Sequence, residues 1–101
     1  MKALLDDSNL ILKIEESLIS TTVRRLREQY LEILGQSQRP ASVTLDISKA
    51  DLIDSQGLNF IIGIFNETQK SGISFRLAGT SPANRKLFEM VNLQEHVPVF
   101  G

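Results

Sequence analysis

The run Ile53-Asp54-Ser55-Gln56-Gly57-Leu58 sets an acid beside a hydroxyl immediately before an apolar helical pattern, and it is where this chain could carry chemistry. An aspartate at a helix N-cap accepts from the free backbone N–H groups of the first turn, its charge aligned with the helix dipole. With Asp54 in that role, Ser55 stands at the first helical position. A phosphate on Ser55 would meet the same positive helix end, so the modification is compatible with an intact helix. It would also set about two negative charges beside Asp54, giving a changed surface on an unchanged fold. The same residues equally make an ordinary capped helix start.

Other chemistry is thin. The absence of cysteine excludes a disulfide framework, a thiolate nucleophile and a cysteine-ligated metal. The single histidine, His96, falls in a loop near the C-terminus and cannot form a metal site unaided. Asp51 and Asp54, both ahead of the helix, could share a cation or act as turn and cap residues. Gly57 and Gly63 fall inside the helix while Gly72 and Gly79 bracket a strand, so no Gly-rich phosphate loop is formed. Nothing assembles a nucleophile, a base and an orienting group. The expectation is a non-enzymatic chain with no metal and no cofactor.

The elements that must position this segment follow from periodicity. Lys2 to Leu5 reads as a short edge strand, Asp6 to Asn9 as a turn, and Leu10 to Ile14 as a strand. From Ser20 or Thr21 to Leu34 the pattern is helical, with Thr21 or Thr22 as cap and Gly35 as terminator. Arg24, Arg25 and Arg27 form a basic face, solvated or turned to an acidic partner. Val43, Leu45 and Ile47 alternate with polar residues, a strand with one buried face. A second helix is predicted from Ser55 to Lys70, closed by Ser71-Gly72. Ile73, Phe75 and Leu77 mark another one-sided strand, and Ser81-Pro82 opens a third helix. Its inner face is expected at Leu87, Met90 and Val91, with a last short strand over Val97–Phe100. The strand–helix alternation predicts a small α/β domain with a mixed, mainly parallel sheet, crossover connections and helices mostly on one face.

Within the second helix, Leu58, Ile61, Ile62 and Phe65 make one apolar stripe, while Phe60 and Ile64 lie roughly opposite. A helix apolar on both sides needs a second cover. Either a neighbouring element buries Phe60 and Ile64, or they form an exposed patch; the expectation is the patch, a partner-binding flank of Phe60, Ile64, Asn59 and Glu67 beside Asp54, Ser55, Gln56 and Gly57.

At 101 residues the chain suits one domain, 1–101. A net charge of −1 gives no reason for nucleic-acid binding. No apolar run approaches the ~20 residues a bilayer needs, and acids at Asp6-Asp7 come too early for a signal peptide. A cytoplasmic protein without membrane insertion, a monomer or weak dimer, is the expectation.

These residues resemble the STAS domain family over nearly the whole chain. Its apolar strand followed by Asp-Ser-Ser/Thr-Gly-Leu at a helix start appears as Val43 to Ile47 and Asp54-Ser55-Gln56-Gly57-Leu58. Its later signature appears as Gly72, Pro82, Leu87-Phe88 and Leu93, and its Leu-Arg-Glu run as Leu26-Arg27-Glu28. The resemblance implies an anti-sigma factor antagonist, bound and phosphorylated by an anti-sigma factor that is also a serine kinase, in a partner-switching pathway. Carried over by position, the phosphorylated residue is Ser55 and the adjacent acid is Asp54. Gln56 stands where the family has a second hydroxyl, and Ile19 where its Gly-Glu-Leu/Ile-Asp turn carries an aspartate. The alternative that the resemblance implies is an accessory subunit of a lipid transport complex, binding its ATPase.

Overall fold

The computed structural model describes residues 1–36 and 39–97. Its strands are β1 (Lys2–Asp6), β2 (Asn9–Lys13), β3 (Ser42–Asp46) and β4 (Ser74–Ala78). Its helices are α1 (Val23–Gln36), α2 (Ser55–Lys70) and α3 (Pro82–Met90), followed by a 3-10 turn at Leu93–Glu95. The last strand expected over Val97–Phe100 falls, beyond Val97, outside the described residues.

The strands lie in the order β1-β2-β3-β4. β1 runs antiparallel to β2, and β2, β3 and β4 are mutually parallel. The β1–β2 turn holds Asp7 at φ 54°, a left-handed conformation that aspartate tolerates better than most residues. Register aligns Leu12, Leu45 and Leu77 in one row and Leu10, Val43 and Phe75 in the next, all buried. The alternate residues, such as Ile11, Thr44 and Arg76, share the other face and are more open. Alternation of period two therefore buries one face of the sheet beneath helices and leaves the other to solvent.

Leu26 and Tyr30 of α1, Phe60, Ile61 and Ile64 of α2, and Phe88 of α3 complete the core. Ser71-Gly72 closes α2 as expected. Gly72 at φ 71° lets its N–H donate to Gln69 O (3.1 Å) and the Ile73 N–H to Thr68 O (2.8 Å), both Schellman-type bonds. No helix among the described residues is long and apolar enough to cross a membrane.

Local detail departs from expectation in α1 and α3. The Thr22 hydroxyl does not cap α1; it accepts from Ile19 N and donates to Ser17 O, serving the turn before the helix. Gly35 lies inside the last turn of α1. In α3, Met90 is 75% exposed and Val91 is also exposed, while Asn84 and Phe88 face inward. The reason is polar: the Asn84 amide donates to Ala50 O (2.9 Å), which places position 84 and, one turn on, position 88 against the core.

Tyr30 is fully buried, and its hydroxyl, near Glu67, completes no hydrogen bond of good geometry among the described residues. Burial, and then the Glu67 carboxylate, pushes its pKa up to about 12. The folded state thus holds the phenol proton more tightly than the unfolded chain, whose value is near 10. That contribution is full below about pH 10 and disappears as pH climbs toward 12. Tyr30→Phe is expected to gain about 1 kcal/mol at neutral pH and more in alkali, because an unpaired buried hydroxyl is removed. Thermal melts of both proteins at neutral and alkaline pH check this; a variant that melts lower would show the hydroxyl to be bonded.

Candidate functional site

The C-terminal ends of parallel β2 and β3 open into two loops, 14–22 and 47–54, that are tied to one another. Leu18 and Ile53 form a parallel bridge. Leu18 N donates to Leu52 O (2.8 Å) and Asp54 N to Leu18 O (3.1 Å). Leu52 N also donates to Ser17 Oγ (3.2 Å). The segment Ser17–Ile19 is thus a strap laid along the entry to α2.

Asp54 joins strap and helix. Its Oδ1 accepts from Gly57 N and its Oδ2 from Ser20 N, each at 2.9 Å. The expected cap is therefore present, with a second donor that the sequence pattern did not suggest. The Gly57 N–H bond, and then the Ser20 bond, hold the Asp54 carboxyl below the usual carboxylate range. A depressed folded-state value contributes stability above the unfolded value near pH 4, and that stability is lost as pH falls through the folded value. Asp54→Ala should accordingly lower Tm by several degrees at pH 7, and by progressively less as pH falls below the unfolded value near 4 and through the folded one. A pH-independent difference would argue against the carboxylate as the source.

Ser55 is the first residue of α2 and is exposed, as is Gln56. Gly57 is buried against the strap. A Cβ there would lie 2.8 Å from Leu18 Cβ and closer still to the Leu18 carbonyl oxygen. This approach fixes the rotation of α2 and corrects the expected flank. With Gly57 turned inward, Phe60, Ile61, Ile64 and Thr68 follow on the same stripe at helical spacing. Phe60 is 5% and Ile64 0% exposed, so neither forms an open patch. Leu58, Ile62 and Phe65, expected in the core, are half-buried on its margins.

The surface beside Ser55 is instead a groove of about 500 Å³ between α1 and α2. Arg24 and Arg27 of α1 face Gln56, Asn59 and Glu67 of α2 across it, and Phe60 contributes only the edge left uncovered. Asn59 is exposed, and Glu67 is ion-paired with Arg27. The three arginines thus divide: Arg25 pairs with Glu16, Arg27 with Glu67, and Arg24 lines the groove. Residues 54–57 sit together at the start of α2, whereas Gln56, Asn59 and Glu67 line one groove that runs along the helix, with Glu67 about 18 Å from Ser55. Ile64 is separated from them by its burial. The resemblance sets the turn with Ile19 near Ser55, but the bonds that tie this strap to the α2 entry, and the α1 wall, were missed in the sequence; the one signal for that packing was Gly57, whose missing side chain marks a close approach. Among the described residues no three His, Cys, Asp or Glu groups gather to hold a metal ion.

The family model of the STAS domain matches residues 2–101. The chain belongs to the STAS domain family. No curated protein matches it by sequence. Among solved structures it resembles the anti-sigma factor antagonist SpoIIAA in its unphosphorylated form, with TM-score 0.77 and 17% identity over 99% of this chain and 84% of that one. A sulfate transporter family protein from Wolinella succinogenes superposes with TM-score 0.78 and 18% identity, covering 96% and 80%. A serine-to-glutamate variant of RsbS from Moorella thermoacetica gives TM-score 0.70 and 24% identity, covering 94% and 75%. At these identities the likeness is one of fold.

Proposed function

We propose that this STAS domain is an anti-sigma factor antagonist-like interaction module, bound by a serine kinase anti-sigma factor and released when Ser55 is phosphorylated. The observation that carries this reading is an exposed serine at the first position of α2, next to a capping carboxylate whose two oxygens are already engaged. A phosphate there gains from the helix N-terminus, so α2 stays folded. It is also repelled by Asp54, and it sets charge that a docked partner would have to desolvate. Because Phe60 and Ile64 are covered, the partner surface on this reading is the polar mouth of α2 with the groove toward α1. Asn59, Gln56 and Glu67 are contact residues, and Phe60 and Ile64 support them from beneath. Incubation with the cognate kinase and ATP, followed by mapping of the modified residue, tests the assignment. Phosphate on Ser55 is expected; phosphate elsewhere, or none, defeats it.

Ile19 supports a second reading, as accessory subunit of a lipid transport complex that binds the complex's ATPase. It lies in the strap, half-buried beside the α2 entry, where it offers an apolar contact rather than an acid. Such a subunit need not be a kinase substrate. Co-purification from the native cell discriminates, since recovery of a transport ATPase in place of a sigma-controlling kinase reverses the order of the two readings.

A further inference from the structure

β1 is an edge strand. Among the described residues it pairs only with β2, and all five of its residues are exposed, Leu4 to 54% and Leu5 to 53%. It carries no proline and no bulge, and its protection against unspecific pairing is the charge at its two ends, Lys2 and Asp6, which selects for a partner edge of matching charge. Its sequence, Lys2-Ala3-Leu4-Leu5-Asp6, is charge-complementary to itself when reversed. We propose that a second copy of this chain docks there, β1 against β1, antiparallel about a two-fold axis through Leu4.

In that arrangement Lys2 of each copy faces Asp6 of the other, Ala3 faces Leu5, and the two Leu4 side chains face one another. The pairing is isologous and joins two four-stranded sheets into one of about eight strands. A shift of register by one residue sets Lys2 or Asp6 opposite an apolar residue, and parallel pairing in register sets like charges opposite each other. Among registers that keep Lys2, Leu4 and Asp6 on one face, only the arrangement centred on Leu4 forms both charge pairs; a one-residue shift can set Lys2 opposite Asp7 alone, which lies in the β1–β2 turn at φ 54° and outside the strand. The monomer also supplies a reason for Lys2 to seek a carboxylate. Within the sheet Lys2 lies directly opposite Lys13, a like-charge pair. Lys13 has Asp46 on its far side, whereas the far side of Lys2 is the open edge. On the solvent face, Leu4 lies opposite Ile11, so the Leu4 contact continues an apolar row from one sheet into the next. Five residues per copy make a small interface, which predicts a weak, concentration-dependent dimer.

Sedimentation velocity over a concentration series tests this with three proteins: wild type, Lys2→Glu and Asp6→Lys. Both side chains are exposed, so both variants are expected to melt as wild type does. Wild type is expected to dimerise. Each single reversal, which turns two attractive pairs into two repulsive ones, is expected to weaken dimerisation by about tenfold or more. An equimolar mixture of the two variants restores both pairs in a heterodimer and should associate at least as tightly as wild type. A wild type that stays monomeric throughout, association indifferent to both reversals, or a mixture no tighter than its components would each overturn the proposal. None of these outcomes bears on Ser55, which lies on α2.

Discussion

Gly57→Ala is expected to cost this domain roughly 3 kcal/mol, the upper range for forced overpacking. That corresponds to a fall in Tm of roughly 12–24 °C for a chain of this size. The cause is specific. The new methyl would meet the carbonyl, Cα substituent and backbone of Leu18, and Leu18 is fully buried and held by two backbone hydrogen bonds to the loop before α2. Neither side yields without breaking the strap. Gly63 in the same helix is the control. A Cβ there meets only the Arg27 guanidinium, at 3.8 Å. Gly63→Ala should therefore stabilise by about 0.5–1 kcal/mol through helix propensity alone. Thermal melts of the two variants should move in opposite directions, and a tolerated alanine at 57 would show that the strap is not closely packed on α2.

Charge at Ser55 is expected to produce the other large effect, in binding rather than in stability. Ser55→Glu should weaken binding of the proposed kinase partner by about 100-fold, ~3 kcal/mol, because a like charge is placed beside Asp54 in a surface that must be desolvated. Its Tm should barely move, since an acid in the first turn is favoured by the helix dipole while Asp54 opposes it. Ser55→Ala removes a hydroxyl that makes no hydrogen bond among the described residues and should bind as wild type does, while no longer responding to kinase and ATP. Equilibrium titration of the three proteins separates these outcomes. Equal affinity for all three would place the partner surface away from the mouth of α2.

Much of the architecture was legible because its determinants are local. Alternating Val43, Leu45, Phe75 and Leu77 announced one-sided strands, and a one-sided sheet in sequential order follows from them. The bounds of α2 match the predicted Ser55–Lys70 because Asp54 and Ser71-Gly72 act within a few residues of themselves. Its rotation was not legible. A helix with apolar residues on two sides has two plausible inward stripes, and the choice between them rests on Gly57 meeting Leu18, a contact nearly forty positions apart in sequence. The same holds for α3, where Asn84 displaces Met90 from the core through a hydrogen bond to Ala50. Periodicity ranks side chains by hydrophobicity and so passes over a buried amide. At the site itself, Asp54, Ser55, Gln56 and Gly57 were found as a motif, whereas the strap and the α1 wall are products of tertiary packing.

A nitrogen–proton correlation NMR titration of this chain with the proposed kinase partner bears most directly on the mouth of α2. Shifts confined to Ser20–Arg27 and Ser55–Glu67 with the unmodified chain, and absent when Ser55 carries phosphate, are the expected result. Shifts centred on the open face of the sheet or on α3, or an identical footprint from both forms, would contradict it.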